Sequence, residues 1–555
     1  MPRVQRGVVV PAPLGQVRDN VVVTPLQVGA PTPAAPASAA AAPYGPAVAA
    51  RFAEPSTQYS TPGLAPERRG FTTNSELGQW LHNIAKAAPR GPTQASVLQL
   101  GASQQGEPIL GLLLTRAKGM DMASLEANGR STVVLIGQQH GDEPAGSEAL
   151  LVVARELAQG LLEPLLDRIN VVVIPRANPD GATNGNRTTA NGVDMNRDHL
   201  LLNTPEARAL ARVVRDYRPI LVLDAHEFTV AGRYLQKFNA IQRYDALLQY
   251  TTTANYHEFM TKASQEWYHQ PMLGALQSQG MSSEWYYTTS TQPDDKRISM
   301  GGVQPDTGRN VNGLKNAVSL LVETRGVGLG RLHIQRRVHT QVTTITSALR
   351  STAERAADLE QVRSYVARDT ASKACKGQVV IEAQATPMQR ELTMLDPDTG
   401  ADRTLKVDWN SSLALRPVKS RPRPCGYWLA AHATAAVERL QMLGVQVLRI
   451  AEPGALLADT YHETARETTE RTDVRGTIAG GSSIIRTQVT PVRSAIDVPA
   501  GSFYVPLNQG LAHLAVAALE PDTQSSYFAN RLIDELGSTA RVMTVPSLVF
   551  EESDE

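Results

Sequence analysis

Between about residue 95 and residue 330, short apolar runs alternate with stretches whose apolar residues recur at helical spacing. The short runs, which are typical of buried strands, are residues 133–136, 171–174, 221–223 and 320–322. Residues 146–159 and 205–217 are predicted helices, and the second begins with a proline that suits a first helical turn. This alternation predicts an α/β fold with a mixed, largely parallel sheet flanked by helices.

A longer apolar pattern follows residue 330. Apolar residues from Val338 to Val366 fall mostly three or four positions apart, which predicts one long amphipathic helix. Residues 377–550 then mix strand-like and helix-like patterns without an internal repeat. We predict one domain at residues 71–370 that ends in the long helix, followed by a C-terminal α+β region at residues 371–555.

The start of the chain has a different composition. Residues 1–70 are rich in proline, alanine and small polar residues, and residues 31–50 are low in complexity, which is typical of disordered segments. We therefore predict that residues 1–70 are disordered. Order is predicted to begin near Phe71, where Thr73, Asn74 and Ser75 precede Glu76 as they would at a capped helix start.

Charge is balanced across the 555 residues, with 54 Lys+Arg, 54 Asp+Glu and a formal net charge of +0. This balance argues against a nucleic-acid-binding protein that works through a strong overall positive field. No apolar run approaches the roughly 18–20 residues that a membrane-spanning helix needs. No membrane span is therefore predicted.

The two cysteines, Cys375 and Cys425, are too few for a disulfide framework or a four-thiolate metal site. They either form one disulfide in an oxidising compartment or remain two separate thiols. The beginning of the chain shows no signal peptide, because Pro11, Pro13 and Asn20 interrupt any apolar core. We expect a cytoplasmic protein unless the true start lies upstream or a leader has been removed.

The most distinctive polar residues lie where the predicted strands end. His140 and Glu143 follow the first strand in a His-x-x-Glu arrangement, and His226 closely follows the third. Sites in open α/β sheets lie beyond the carboxyl ends of the strands. Because a catalytic zinc ion commonly takes histidine and carboxylate ligands, these three residues are predicted to bind a metal. The His-x-x-Glu pair alone is a weak signal, since so short a motif also arises by chance.

Further polar residues follow other strands. Arg187, Asn196 and Arg197 lie after the second strand, and arginine binds carboxylates through two parallel hydrogen bonds. Glu323 directly follows the last apolar run, where a carboxylate either acts as general base on a metal-bound water or forms a buried ion pair. Residues 178–181, Asn-Pro-Asp-Gly, have the composition of a turn.

Taken in order, these residues resemble the zinc carboxypeptidase superfamily (the M14 metallopeptidases), in a bacterial-type form with a C-terminal extension. The resemblance covers roughly residues 70–340 and rests on several separate motifs in the right order. The matching positions are His140, Glu143, residues 178–181, Arg187, Asp194, Asn196, Arg197, His226 and Glu323. The resemblance implies a zinc carboxypeptidase-like catalytic domain at residues 71–370.

The resemblance also implies the composition of the metal site. His140, Glu143 and His226 would hold one Zn²⁺ per chain. Asp194 matches an acid that orients the first zinc histidine. That role is physically reasonable, because a ligating imidazole normally donates its other N–H to a carboxylate or a carbonyl.

The implied reaction is hydrolysis of a C-terminal peptide bond by a metal-activated water, without a covalent acyl-enzyme. Glu323 would be the general base and proton shuttle. Arg187 would polarise the scissile carbonyl and stabilise the oxyanion. Asn196 and Arg197 would bind the terminal carboxylate of the substrate, with Arg187 beside them.

One feature departs from the digestive-type members, which carry a mobile tyrosine before the general base. Residues 296–311 contain no tyrosine, whereas Tyr286 and Tyr287 lie farther back. Arg309 lies in the intervening loop instead and is a candidate for substrate contact. The sequence does not locate the specificity pocket.

Two other functions stay open. The Asp-Ala-His-Glu sequence around His226 is also similar to zinc deacylases that act on N-acyl amino acids such as succinylglutamate or acetylaspartate. A non-catalytic binding protein on a peptidase fold would require a lost ligand or base, and every key position is filled. The expected substrate is therefore a peptide or an acyl amino acid with a free carboxylate. Bacterial relatives are often exported, so the resemblance implies a periplasmic or secreted protein if a leader is missing or removed.

Overall fold

The computed structural model describes residues 42–88 and 91–551. Residues 1–41 of the segment predicted to be disordered lie outside the described residues. Residues 42–70 differ from that prediction, because Tyr44, Val48 and Phe52 are buried in one apolar cluster. Val48 and Phe52 belong to a short helical segment that begins at Pro46, and Tyr44 lies just before it. The surrounding proline and alanine residues make so short a pattern hard to recognise in the sequence.

The α-helices among the described residues are α1 (Pro46–Ala49), α2 (Asn74–Ala87), α3 (Met122–Ala127), α4 (Pro144–Gln159), α5 (Pro179–Asn184), α6 (Pro205–Tyr217), α7 (Arg233–Phe238), α8 (Glu258–Ser264), α9 (Gln270–Ser278), α10 (Gly308–Leu314), α11 (Ile334–Ser372), α12 (Thr434–Met442) and α13 (Ala512–Leu519). The strands up to residue 330 are β1 (Gln94–Ala102), β2 (Pro108–Thr115), β3 (Ser131–Gly137), β4 (Ile169–Ile174), β5 (Leu221–Thr229), β6 (Ile241–Gln242), β7 (Ala246–Tyr250), β8 (Ser283–Trp285), β9 (Thr288–Thr289), β10 (Ile298–Ser299) and β11 (Val318–Val327). The later strands are β12 (Gln378–Leu395), β13 (Asp402–Pro422), β14 (Gly426–Leu429), β15 (Leu448–Arg449), β16 (Gly454–Thr469), β17 (Thr472–Asp473), β18 (Gly476–Thr477), β19 (Ile484–Val498), β20 (Phe503–Pro506) and β21 (Thr539–Val542).

The central sheet has eight strands in the order β1-β2-β4-β3-β5-β11-β7-β8. Its middle strands β4, β3, β5 and β11 are parallel, whereas β1, β2 and β7 join through antiparallel pairs. The four apolar runs identified in the sequence lie in these four parallel strands. The predicted α/β class, with a mixed and largely parallel sheet flanked by helices, is confirmed.

Both faces of the sheet are covered by helices. Val133 and Leu135 of β3 pack in the cluster that also contains buried residues of α4 and α11. Val134 and Ile136 point to the other face and pack with Leu210 of α6. Successive strand residues face opposite sides, so a strand buried on both faces is apolar throughout. Burial on both faces leaves the strand ends as the places where polar side chains can gather.

The predicted long helix is α11, which spans 39 residues and buries Val338, Ile345 and Leu349 on one side. It packs along α4 and α9 on one face of the central sheet. No helix among the described residues is both long enough and apolar enough to cross a membrane.

The C-terminal region contributes strands to a sheet that begins in the first part of the chain. The long hairpin of β12 and β13 pairs with β6 on one side and with β10 on the other. A six-stranded sheet has the order β15-β20-β14-β21-β16-β19. Cys375 and Cys425 form a disulfide that ties the end of α11 to the start of β14. The boundary predicted at residue 370 is thus crossed by strand pairing, and the described residues belong to one compact unit.

Candidate active site

The structure brings the sequence-predicted residues together at one edge of the central sheet. His140 lies in the loop after β3, His226 lies in β5, and Glu323 lies in β11. Because β5 and β11 run parallel with His226 and Glu323 as register partners, the two residues are neighbours across the sheet. Residues separated by more than 180 positions therefore meet, as expected for the carboxyl ends of parallel strands.

His140, Glu143 and His226 converge on one point. The Nδ1 atoms of the two histidines lie 3.1 Å apart. The Glu143 carboxylate bridges them, with Oε1 2.7 Å from Nδ1 of His140 and Oε2 2.8 Å from Nδ1 of His226. The three side chains are buried, and one ligand atom from each lies within 4.8 Å of the others. Two imidazole nitrogens and a carboxylate form a suitable protein ligand set for zinc.

Close backbone packing holds the loop that carries His140. A Cβ atom on Gly141 would lie 1.9 Å from the carbonyl carbon of Gly181, so only glycine permits this approach. Asn178 caps α5 by accepting a hydrogen bond from the Gly181 N–H, and its Nδ2 donates to the Gln139 carbonyl. The Asn-Pro-Asp-Gly segment predicted as a turn is therefore the start of a helix that supports the loop carrying His140.

Each histidine is oriented by a carboxylate on the far side of its ring. Asp194 Oδ1 lies 3.1 Å from Nε2 of His140, as the resemblance implied. Asp224 Oδ2 lies 2.8 Å from Nε2 of His226. These contacts leave both Nδ1 atoms facing the shared point. Sequence reasoning gave Asp224 no role, although an Asp-x-His pair in a strand places both side chains on one face.

The charges of this group favour a cation. Burial disfavours the charged form of His226, but the carboxylates of Asp224 and Glu143 raise its pKa well above the ordinary value. Burial likewise disfavours ionised Glu143, but His140 and His226 lower its pKa far below the usual range. Three carboxylates around two imidazoles therefore provide the donors and the negative charge that a divalent cation requires.

The Glu323 carboxylate lines the cavity beside this group. The Glu323 residue is 8% exposed, and its carboxylate makes no hydrogen bond to the described part of the chain. Burial, followed by the negative charge of Glu143, raises the pKa of Glu323 to about 7. Glu323 is thus a carboxylate available for proton transfer. Within the described residues it does not form the buried ion pair that was the alternative from the sequence.

Arg187 lies between Asp194 and the group formed by His140, Glu143 and His226. Its Nε and Nη2 atoms donate to Asp194 Oδ2 at 3.0 and 2.9 Å. Its Nη1 atom lies 3.3 Å from Oε1 of Glu143 and therefore points towards the place where Glu143 meets the two histidines. Asp194 fixes the guanidinium in an orientation that suits contact with a carbonyl oxygen at the same point.

Asn196 and Arg197 also line the cavity, but both already contact other protein groups. Asn196 Nδ2 lies 3.2 Å from Nε2 of His226, and its Oδ1 accepts a hydrogen bond from the Gly308 N–H. Arg197 donates through Nε and Nη2 to Asp473 Oδ2 at 2.9 and 2.6 Å. This Asp473 partner belongs to the C-terminal region, and sequence reasoning missed it because no local pattern connects the two segments.

Other residues that line the cavity are Asp142, Arg233, Tyr234, Tyr286, Tyr287, Arg309, Val474 and Arg475. Tyr286 reaches the cavity although it lies well before residues 296–311, which contain no tyrosine. Arg309, identified in the sequence as a candidate for substrate contact, also reaches the cavity. Arg475 had no signal in the sequence.

Comparisons with known proteins find similarity to zinc carboxypeptidases. Residues 78–304 match the family model described as zinc carboxypeptidase. Carboxypeptidase 2 of Trichophyton rubrum is 27% identical over 399 residues, which cover 71% of this chain and 72% of the relative. Carboxypeptidase 2 of Trichophyton equinum is 26% identical over 482 residues, which cover 85% and 87%. A metallo-carboxypeptidase structure from Burkholderia cenocepacia superposes with a TM-score of 0.37 and 17% identity over 50% of this chain and 68% of that one.

The matches cover different parts of the chain. The family match contains His140, Glu143 and His226 and ends before Glu323. The 482-residue match to the Trichophyton equinum protein is too long to exclude residues 371–555. Both relatives are fungal, so a bacterial-type form stays a prediction. Residues 78–304 of this chain are thus similar to the zinc carboxypeptidase (M14 metallopeptidase) family, and the chain is a hydrolase that acts on peptide bonds.

Proposed function

We propose that this protein is a zinc metallocarboxypeptidase that removes the C-terminal residue from peptides with a free terminal carboxylate. The observation that carries the proposal is the meeting of two imidazole Nδ1 atoms and the Glu143 carboxylate beside the carboxylate of Glu323, which has no hydrogen-bond partner among the described residues. His140, Glu143 and His226 would hold one Zn²⁺ per chain. When bound, zinc would supply Lewis-acid assistance to the attacking water and to the scissile carbonyl.

In the proposed reaction, Glu323 accepts a proton from the attacking water and then delivers it to the leaving amine. Its raised pKa suits both steps, because a group that titrates near neutral pH can accept and release a proton. Arg187 donates a hydrogen bond from Nη1 to the oxygen on which negative charge develops. Its other two nitrogens stay on Asp194, so the guanidinium need not reorient.

Asn196 and Arg197 would orient the substrate by binding its terminal carboxylate. Arg197 uses Nε and Nη2 for Asp473 and donates from Nη1 to the Asn196 carbonyl. A guanidinium has five N–H donors, so two remain after these three contacts. These donors are available to a substrate carboxylate while Asp473 holds the side chain in place.

Hydrolysis of an N-acyl amino acid is the second candidate function. The sequence Asp-Ala-His-Glu around His226 motivates it. The named relatives are carboxypeptidases, so the deacylase is not favoured. A non-catalytic role is less favoured still, because His140, Glu143 and His226 are all present and no residue of the described chain forms a hydrogen bond with the Glu323 carboxylate.

A panel of three substrates separates these functions. The zinc-loaded protein would be incubated with a peptide, with the same peptide carrying a C-terminal amide, and with N-acetylaspartate, and the products would be identified by mass spectrometry. We expect loss of single residues from the C-terminus of the free peptide only. Hydrolysis of N-acetylaspartate with the peptides left intact would establish the deacylase instead. Absence of turnover by the zinc-loaded protein would contradict both enzymes.

The compartment is a separate proposal. The Cys375–Cys425 disulfide supports a periplasmic or secreted protein, because disulfides persist in oxidising compartments. Fractionation of the natural host, with the protein followed by antibody, would test this location. Detection in the cytosolic fraction with two free thiols would contradict it.

A further inference from the structure

A hairpin from the C-terminal region forms part of the cavity wall. This segment, residues 471–478, contains β17 and β18 and is called the cavity hairpin below. Its Arg475 carbonyl accepts a hydrogen bond from the Thr291 N–H, and the Ala479 carbonyl accepts one from the Asp194 N–H. The cavity hairpin is therefore attached by its backbone to the segments that carry the active-site residues.

Two ion pairs strengthen this attachment. Asp473 accepts two hydrogen bonds from Arg197, and Arg471 donates to Asp306 Oδ2 at 2.9 Å. The paired side chains of Arg197 and Asp473 are 11% and 8% exposed. Water screens such contacts poorly, and breaking a buried pair is costly. The cavity hairpin consequently has a fixed position. It holds Arg475, two residues after Asp473, in the cavity wall.

Arg475 has three arginines among the charged groups that act on it most strongly. Within the described part of the chain, its side chain has neither an ion-pair nor a hydrogen-bond partner. The guanidinium of Arg187, followed by burial, lowers the pKa of Arg475, and Arg233 and Arg197 act in the same direction. The Tyr286 hydroxyl is its other close polar neighbour. The Asp473 carboxylate also interacts with the charge of Arg475, but it is hydrogen-bonded to Arg197, so within the described residues Arg475 has no carboxylate partner of its own.

Arg233 has the same deficit. It lines the cavity and donates from Nη1 to the Thr289 carbonyl at 2.6 Å, but it has no carboxylate partner among the described residues. Arg187 and Arg197, in contrast, are compensated by Asp194 and Asp473. Arg309 also lines the cavity and donates only to neutral oxygens. The cavity therefore contains two arginines that are paired with carboxylates and three that form no ion pair within the described residues.

A neutral C-terminal residue would bring one carboxylate to this cavity, and Asn196 and Arg197 would receive it. An acidic C-terminal residue would bring a second carboxylate. Arginine binds carboxylates in a bidentate manner, and the interaction is stronger where solvent is partly excluded. A second anion would thus relieve the repulsion among neighbouring guanidinium groups.

We propose that Arg475, with Arg233 beside it, forms a cationic subsite that makes the enzyme prefer peptides ending in glutamate or aspartate. This specificity rests on the proposed carboxypeptidase function. Arg475 belongs to the C-terminal region and Arg233 to α7, so residues 371–555 contribute to substrate choice as well as to the fold.

The test uses peptides that differ only in their C-terminal residue, which is Glu, Leu or Lys. For the wild-type protein we expect kcat/KM for the Glu peptide to exceed that for the Leu peptide by about tenfold or more, as one charge-assisted contact allows. Arg475→Gln should reduce this ratio about tenfold, and Arg475→Lys should retain part of it. Arg449→Gln is the matched control, because Arg449 is an arginine of the same region whose side chain is 55% exposed.

Two results would overturn the subsite. A wild-type preference for Leu or Lys would do so, and so would an equal loss on all three peptides in Arg475→Gln, which would place Arg475 on the terminal carboxylate. Cleavage would still support the carboxypeptidase in both cases. A second measurement needs neither a variant nor turnover: glutarate should bind the wild-type protein about tenfold more tightly than pentanoate by calorimetry. Equal affinities would contradict the subsite even if no peptide were cleaved.

Discussion

The two sides of the active-site cavity are built in different ways. On one side, His140, His226 and Glu323 stand at the ends of parallel strands whose both faces are buried. On the other side, Asp473 and Arg475 stand on a two-stranded hairpin that is attached by hydrogen bonds and ion pairs. The first side derives its position from the hydrophobic core, whereas the second derives it from a few polar contacts. This contrast predicts that substitutions on the first side change the rate of the chemical step. Substitutions on the second side are predicted to change the position of the cavity hairpin and the choice of substrate.

The largest expected effect is on the strand-end side. Glu323→Gln removes the proton acceptor but keeps the shape of the side chain, so kcat should fall by about 10²–10⁴-fold. Zinc content should remain near one per chain, because Glu323 is not one of the proposed ligands. Steady-state kinetics with metal analysis would check both points. Glu354→Gln, at an exposed position on α11, is the control and should keep full activity. Loss of zinc together with activity would contradict the assigned role.

The next effect concerns the ion pair that holds the cavity hairpin. Asp473→Asn leaves Arg197 largely buried without its partner, so the free energy of unfolding should fall by about 3 kcal/mol. Amide hydrogen exchange in residues 471–480 should accelerate more than exchange in β5. Denaturant titration and exchange mass spectrometry would measure the two quantities. The control is Asp358→Asn, which breaks an ion pair whose side chains are both 51% exposed and should cost about 0.5 kcal/mol or less. Unchanged exchange in the hairpin would mean that the pair does not anchor it.

A smaller effect is expected for Asp224, whose carboxylate contacts the side of the His226 ring that faces away from the proposed metal. Asp224→Asn removes the charged group that orients His226, and zinc affinity should fall about 10–100-fold. Competition with a chromogenic chelator would measure the change. Asp216→Asn alters an aspartate whose side chain is 44% exposed and should leave zinc affinity as it is in the wild type. An equal loss of affinity in both variants would remove the special role of Asp224.

The smallest expected effects come from two histidines away from the cavity, of which His333 is buried and His513 is partly buried. Burial and the nearby guanidinium of Arg325 lower the pKa of His333, at the start of α11, to about 4. Burial lowers the pKa of His513, in α13, to about 3. An unfolded histidine titrates near 6.5, so between pH 6.5 and 4 the unfolded chain binds more protons than the folded one. Stability should therefore be complete above pH 6.5 and should decrease as the pH falls below it.

For His333 the expected loss at pH 5 is about 1–2 kcal/mol. Denaturant titrations at pH 7 and pH 5 would measure it. His333→Gln should make the pH dependence shallower, whereas replacement of the exposed His82 by Gln should not. A protein more stable at pH 5 than at pH 7 would contradict the sign of the shift.

The strand-end side could be predicted from the sequence because its signals are local. An apolar run followed at once by His140, His226 or Glu323 identifies both a buried strand and the residue at its end. The parallel arrangement of such strands then brings their ends together. Asp224 could have been found by the same reasoning, since it precedes His226 by two positions in β5.

The cavity hairpin could not be predicted in this way. Arg197 and Asp473 are 276 positions apart, and neither has a local pattern that identifies its partner. Pairing of β12 with β6 and of β13 with β10 likewise depends on contacts between distant segments. The early residues Tyr44, Val48 and Phe52 illustrate a second limit, because three apolar residues within a proline- and alanine-rich stretch were too few to indicate order. Contacts of this kind are decided by tertiary packing and not by local propensity.

The most direct test of the account is a zinc titration of activity. Metal would be removed with a chelator, zinc would be added back in known amounts, and the release of the C-terminal residue from a peptide would be followed. We predict no release by the metal-free protein and a linear recovery that ends at one zinc per chain, with no recovery in the His140→Ala variant. Full release by a protein shown to contain no metal would contradict the account.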